Sequence, residues 1–370
     1  MSIFAQRRDK LLSLVRQEGL DGLLVTHPVN VTYLTGFSGE ASYLVLTDDK
    51  TILVSDGRFV GQLAEECPDL ETLIRTTSQT IADAAVSALG SVHARTVGFE
   101  SGHLTVADFE TLRGKAGPID WKPGASRVEG LRMIKDATEL AQIREAIAIA
   151  EAAFARFQHD LQPERTEKQL HDAMEFHIRA LGGKTTAFPT IVAVGDRAAL
   201  PHAPPTGRRL ADAPFVLVDW GASGAFYKSD LTRVLWTHKP YSNSGLRAKF
   251  LHVFEVVQKA QAAAIKRMHV GTALHDIDAA ARAVIRDAGF GEFFNHGLGH
   301  GFGLQIHEAP FLRPTGSGKL EAGMVITVEP GVYLPGEVGV RLEDDVLITA
   351  DGPVMLTSVP QSPDQWLNGS

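Results

Sequence analysis

Four carboxylates stand in strand-like runs in two separated stretches of the chain. In the first, PFVLVDWGASGAFYKSDLTRV, an apolar, β-branched run closes on Asp219, a Gly-bearing turn follows, and a second run carries Asp230 in its middle. In the second, GMVITVEPGVYLPGEVGVRLEDDVLIT, an apolar run ends in Glu329, Pro and Gly make a turn, and a returning strand carries Glu343. Each reads as a hairpin whose folding brings two like charges into a largely desolvated place, which is costly unless a cation sits between them. Between the hairpins lies NHGLGHGFGLQIHEAP, with His296, His300 and His307 set among glycines that let backbone approach a site closely. Four carboxylates and an imidazole from this segment predict a site for two divalent ions.

Charge counting favours two ions over one. Four ionised carboxylates carry about −4 and two M²⁺ ions about +4, and carboxylates bridge metals roughly 3.5 to 4 Å apart in hydrolytic two-metal sites. A single zinc wants three or four ligands richer in His or Cys. Oxygen-rich ligation with one imidazole suits Mn²⁺ best, while Co²⁺, Fe²⁺ and Zn²⁺ would also bind.

The elements that must position these groups need a long chain, and 370 residues exceed the usual single-domain size, so two domains are expected. Composition is that of a globular protein, 44% hydrophobic and 22% charged, and a net charge of −8 argues against nucleic acid as a partner. One cysteine, Cys67, excludes an internal disulfide and a cysteine-based metal site. The first 20 residues lack the pattern of a signal peptide, and no apolar run reaches the ~18 residues of a membrane span, so a cytoplasmic location is expected.

Residues 7 to 19 predict an amphipathic helix with Leu11, Leu12, Leu14 and Val15 inward, followed by a buried strand at 22 to 26, a Pro/Gly loop (HPVNVTYLTGFSG), and a hairpin from SYLVLT and KTILVS. Helices near 59–66, 80–89 and 105–113 and the strand TVGFE complete an α/β unit. The Gly/Pro-rich stretch 114–126 reads as a boundary, giving domains 1–125 and 130–362. Beyond it a long helix buries Leu140, Ile143, Ile147, Ala150, Phe154 and Phe157, and a second opens with a Thr166/Gln169 capping box. Helices at about 246–268 and 274–288 precede the second hairpin. Two helices followed by carboxylate-bearing strands thus occur twice, about 110 residues apart, which predicts a pseudo-duplicated domain with the metals at the junction of its halves.

The sequence resembles the "pita-bread" metallopeptidases, a family that includes methionine aminopeptidase, aminopeptidase P, prolidase and creatinase. LRMIKDATELAQIREA resembles the entry helix of the catalytic domain, ALPHAPPT the first catalytic histidine segment, and HGLGHGFGLQIHEAP and VEPG the later blocks. The amino-terminal unit, with YLTGFSG, resembles the extra domain of the prolidase, aminopeptidase P and creatinase branch. The resemblance implies an α/β (α+β) fold, a creatinase-like amino-terminal domain and a pita-bread catalytic domain. It makes Asp219, Asp230, His300, Glu329 and Glu343 the ligands, with Asp230 and Glu343 bridging. The complete metal set weighs against creatinase-like hydrolysis of a small metabolite and against non-catalytic peptide-binding modules.

The implied activity is hydrolysis of Xaa-Pro bonds in dipeptides or short proline-containing peptides, with aminopeptidase P action on longer peptides as the alternative. Bridging by two metals would lower the pKa of water from 15.7 toward ~7, and the hydroxide would attack the scissile carbonyl. Glu329 is the expected general base, His202 and His307 would steady the developing oxyanion, and His296 would line the substrate pocket. Arg341, two residues before Glu343 and on the same strand face, is expected to orient the carboxylates from behind. Dipeptidase members often carry an arginine directly after the HExP motif; here Phe311 stands there and Arg313 lies two further on. Family members commonly form homodimers through the amino-terminal domain.

Overall fold

The computed structural model describes residues 2–237 and 244–364. The chain divides into two compact units, Met1–Arg132 and Met133–Ser370. In the first, β1 (Gly22–Val25), β2 (Tyr43–Thr47), β3 (Thr51–Asp56), β4 (Glu71–Arg75), β5 (Thr96–Glu100) and β6 (Asp120–Gly124) form a mixed sheet in the order β4-β3-β2-β1-β5-β6. Around it are α1 (Ile3–Gln17), α2 (Pro28–Thr35), α3 (Val60–Glu66), α4 (Ile81–Gly90), α5 (Val106–Lys115) and α6 (Arg127–Arg132).

Two local readings of this unit change. HPVNVTYLTGFSG is not a loop throughout: α2 occupies its first part. The His27 ring nitrogen accepts from Val29 N–H, Pro28 takes the first helical turn, where its missing N–H is harmless, and Gly36 at φ +81° closes the helix. The Gly/Pro-rich boundary stretch supplies β6, which pairs in parallel with β5 along its whole length. Pro123 is tolerated there because β6 is an edge strand.

The second unit opens with α7 (Ala137–Phe157) and α8 (Glu167–Ala180). Capping boxes start both, Asp136 with Glu139 and Thr166 with Gln169. Next come β7 (Thr185–Thr186), β8 (Ile191–Val194), β9 (Phe215–Trp220), β10 (Ala222–Ser223) and β11 (Leu231–Trp236). Trp220 fixes helix to sheet: its ring stacks on Phe154 at 4.3 Å and its indole N–H donates to Ala150 O at 3.0 Å. The order then repeats with α9 (Ser244–Ile265) and α10 (Leu274–Asp287), followed by β12 (Gly299–Gly301), β13 (Glu308–Leu312), β14 (Val325–Val328), β15 (Gly331–Leu334), β16 (Val338–Arg341), β17 (Asp344–Thr349) and β18 (Gly352–Met355). The first set carries a three-stranded sheet, β11-β9-β8, and the second a five-stranded one, β13-β12-β14-β17-β18. A bridge between Thr232 and Glu343 joins the two sets.

The carboxylate hairpins differ from expectation in detail. Asp230 is not in the middle of a strand but immediately before β11, because Ser229 folds back, its N–H donating to Ala222 O and its hydroxyl accepting from Ala222 N–H. In the second stretch β14 pairs with β17, and a separate hairpin, β15 with β16, is inserted between them. Pro330 has no N–H to extend the β14 ladder, so that strand stops at Val328 and leaves Glu329 just beyond its end. Glu343 likewise precedes β17.

Candidate metal centre and active site

Asp219, Thr232 and Glu343 lie side by side across neighbouring strands, since Asp219 is paired with Thr232 in the β9–β11 ladder and Thr232 bridges to Glu343. Asp230 is drawn alongside by its N–H, which donates to Asp345 Oδ2 at 3.3 Å. His300 comes from β12, where its N–H donates to Thr327 Oγ1 at 3.1 Å. That close pass requires glycine at 299: a Cβ there would lie 2.0 Å from Thr327 O. Glu329 is carried by its N–H to Leu298 O at 2.8 Å. A cavity of about 860 Å³ opens here, and Asp219, Asp230, His296, His300, His307, Glu329, Arg341, Glu343 and His202 all line it.

The ligand atoms of Asp230, His300 and Glu343 lie within 4.8 Å of one another, near enough for one ion to touch all three at bond lengths of about 2.0 to 2.2 Å. Asp219 and Glu329 fall outside that trio but line the same cavity, and His300 Nε2 is 3.4 Å from Glu329 Oε1 and 3.7 Å from Asp230 Oδ2. His300 Nδ1 lies 3.1 Å from Gly301 O; donating there, it leaves the Nε2 lone pair facing the carboxylates. Asp219 Oδ1 is buried with no hydrogen-bond partner. Burial, with Glu343 and Asp219 nearby, holds the Asp230 carboxyl well above the usual carboxylate range. Glu343 is raised by burial and by Glu329 and Asp219, and Glu329 is pushed up to about 8, chiefly by burial. Burial also lowers His300 to about 4. Clustered acids that resist ionisation beside an imidazole that resists protonation form a donor set whose negative charge exceeds what the single neighbouring guanidinium of Arg341 balances, and an orphaned carboxylate oxygen fits divalent ions.

Arg341 ties the carboxylates together from behind. Its guanidinium pairs with Asp219 Oδ2 and donates to Thr232 Oγ1 at 3.1 Å and to Tyr333 OH at 2.9 Å. Thr232 in turn donates to Glu343 Oε2 at 2.7 Å. His296 lines the cavity with both ring nitrogens engaged, Nδ1 at 2.7 Å from Gly297 O and Nε2 at 2.9 Å from Tyr333 OH. Burial lowers it to about 4, so it is a neutral ring wedged into the wall. His202 and His307 are exposed on the cavity side, and the His307 ring meets His300 edge-on at 4.5 Å.

Three residues of this arrangement escape the sequence reading: Thr232, Tyr333 and Asp345. Period-two spacing offered a signal for two of them, since Thr232 is two residues from Asp230 and Asp345 two from Glu343. Tyr333 reaches Arg341 only through the inserted hairpin, in which Gly331 is the register partner of Arg341.

Residues 141–350 match the family model described as Metallopeptidase family M24, more than half of the chain. The chain belongs to metallopeptidase family M24. Residues 7–134 match the Creatinase/Prolidase N-terminal domain, so this peptidase joins a creatinase-type amino-terminal domain to an M24 catalytic domain. It is 32% identical to the Xaa-Pro dipeptidase of Pyrococcus horikoshii over 358 residues, 96% of this chain and 98% of that protein. Among solved structures it matches an Xaa-Pro dipeptidase from Bacillus anthracis with a TM-score of 0.91 at 31% identity, covering 98% of this chain and 99% of the other. An X-Pro aminopeptidase from Thermotoga maritima matches with a TM-score of 0.86 at 30% identity, covering 96% and 99%. Among the described residues no helix is long and apolar enough to cross a membrane.

Proposed function

We propose that this metallopeptidase is an Xaa-Pro dipeptidase whose Asp219, Asp230, His300, Glu329 and Glu343 hold two divalent ions, Mn²⁺ being the best fit to an oxygen-rich set. Bound there, the ions would supply acidification of water and polarisation of the scissile carbonyl. The Glu329 side chain is more exposed than those of Asp219 and Asp230, 17% against 11% and 6%, so it is the best placed of the three to meet a water or substrate. It takes the proton of the attacking water and passes it to the proline nitrogen as the bond breaks. His202 and His307 donate to the carbonyl oxygen as negative charge grows on it, each worth roughly 3 to 4 kcal/mol when well placed. Arg341 holds Asp219 and, through Thr232, Glu343 in fixed orientation.

The observation that carries the dipeptide reading is Arg313. It lines the same cavity as the acidic centre, its guanidinium carbon lies 5.3 Å over the Phe311 ring, and among the described residues it is in no ion pair. A cavity offering carboxylates and one uncommitted guanidinium suits a zwitterion, with the peptide amine on the acidic side and the proline carboxylate on Arg313. The likeness to Xaa-Pro dipeptidases supports the same assignment. The test is to restore Mn²⁺ to chelator-treated protein and compare cleavage of Ala-Pro, Ala-Pro-Ala and Ala-Ala. Fastest cleavage of Ala-Pro is expected; preference for Ala-Pro-Ala would replace the dipeptidase reading with an aminopeptidase. The reading also takes the peptidase as a cytoplasmic homodimer: one buried cysteine, Cys67, suits a reducing compartment, and dimers are what the family resemblance implies.

A further inference from the structure

His202 sits in the stretch 195–206 between a short 3₁₀ turn, Gly195–Ala199, and the Thr206 strap to α8, and no ladder of the sheet fixes it. An ion pair beside this loop, its carboxylate buried and its guanidinium partly exposed, does what a ladder would. Glu167, in the first turn of α8, has no exposed surface. Its Oε1 accepts from Val194 N–H and Arg197 Nε, both at 2.9 Å, and its Oε2 from Thr206 N–H at 2.9 Å and Thr206 Oγ1 at 2.6 Å. One carboxylate therefore grips the strand end that enters the loop and the residue that leaves it. Arg197, held against Glu167, extends Nη2 to Pro204 O at 2.6 Å. On the other side of His202, Arg341 Nη1 reaches Pro201 O at 3.3 Å. His202 is thus carried between two carbonyls anchored by arginines, one belonging to the acidic centre and one braced by Glu167.

We infer that Glu167 and Arg197 are positioning residues that set the place of the His202 imidazole in the cavity wall. They are not among the residues that line the cavity, and their charge-assisted bonds, centred on the buried Glu167 carboxylate, give a fixed geometry that neutral loop contacts would not. A histidine that must donate to one oxygen gains from such a brace, since a misplacement of about 1 Å costs on the order of 100-fold in rate. The inference rests on the proposed role of His202 for its effect on rate, while the placement itself is separate.

Two readouts on the full-length protein keep them apart, NMR on the chelated form, because paramagnetic Mn²⁺ would broaden the His202 signal away, and kinetics on the Mn²⁺-restored form. In histidine-selective NMR, with the His202 signal assigned by its loss in His202→Ala, Glu167→Gln is expected to shift or broaden that signal. An unmoved signal overturns the inference whatever the kinetics show. In Ala-Pro hydrolysis, Glu167→Gln is expected to lower kcat/KM about 10- to 100-fold with bound Mn²⁺ unchanged, and to add less than about twofold in the His202→Ala background. Arg197→Gln, at a partly exposed side chain, should behave alike if Glu167→Gln folds poorly. Equal losses in both backgrounds overturn the inference, because the clamp would then be acting elsewhere. A wild-type rate for His202→Ala refutes the catalytic role of His202 and leaves the NMR shift to decide the clamp.

Discussion

Replacing Arg233 with methionine should lower the melting temperature of the catalytic unit by about 6 to 12 °C. Arg233 and Asp344 are both buried, and their ion pair has Nη2 at 2.6 Å from Asp344 Oδ1. At that distance, with an effective dielectric of about 20, the attraction is about 6 kcal/mol, offset by the desolvation of both groups. Removing one partner of a buried pair typically costs about 3 to 5 kcal/mol. The lower end applies, because Asp344 keeps neutral donors in Thr357 Oγ1 at 2.7 Å, Gln261 Nε2 at 3.1 Å and Gln361 Nε2 at 2.6 Å. A unit of this size loses about 2 to 4 °C per kcal/mol, which gives the range stated for about 3 kcal/mol. Arg233 also donates to the backbone carbonyls of Thr232, Glu343 and Val359, so its loss should weaken Mn²⁺ binding through Glu343. Differential scanning calorimetry of the chelated protein reads the first effect and metal titration the second. The double variant Arg233→Met with Asp344→Leu should recover part of the lost stability. A fall of less than about 2 °C in the single variant, or a double variant no better than the single, would refute the reasoning.

Chelated protein should be less stable at about pH 8.5 than at about pH 6. The Glu329 carboxyl lies at about 8 when folded, above its ordinary value, so the folded state holds more protons; its stabilising contribution is full at low pH and lost as pH rises through about 8. Asp230 and Glu343 act in the same direction, and added Mn²⁺ should raise the melting temperature most at the higher pH, as scanning fluorimetry would read. Arg313→Ala should raise KM for Ala-Pro about 10- to 100-fold, the worth of a hydrogen-bonded charge, and leave KM for Ala-Pro amide nearly unchanged in steady-state assays. Gly339→Ala should lower kcat/KM more than about tenfold, because a Cβ there would lie 1.9 Å from Ala198 O and push the His202 loop away; an unchanged rate would show that the loop can yield.

The carboxylates that line the cavity were legible because two apolar, β-branched runs each end in an acid and each follows a pair of helices in the same order. His296, His300 and His307 were legible through their glycine-rich surroundings, which allow β12 to pass against Thr327, whereas His202, in a Pro-rich stretch, was reached only through the family resemblance. What escaped was set by contacts between distant segments. Thr232 matters only because Arg341 and Glu343 arrive beside it from more than a hundred residues away, and Tyr333 because the β15–β16 hairpin folds as a piece of its own. The helix at Pro28–Thr35 was hidden by its composition: Pro, Val and Thr are poor helix formers, and the cap at His27, the early Pro28 and Gly36 outweigh them. Likewise the Gly/Pro content of the boundary stretch concealed β6, whose position at the sheet edge makes proline harmless.

The most direct test counts metal and activity in one titration. Mn²⁺ is added stepwise to chelated protein while bound metal and Ala-Pro hydrolysis are measured together, for the parent chain and for Asp230→Asn. The account predicts saturation at two ions per chain, activity that requires bound metal, and loss of both occupancy and rate in Asp230→Asn. Saturation at one ion, or Ala-Pro cleavage that persists in the metal-free protein, would contradict it.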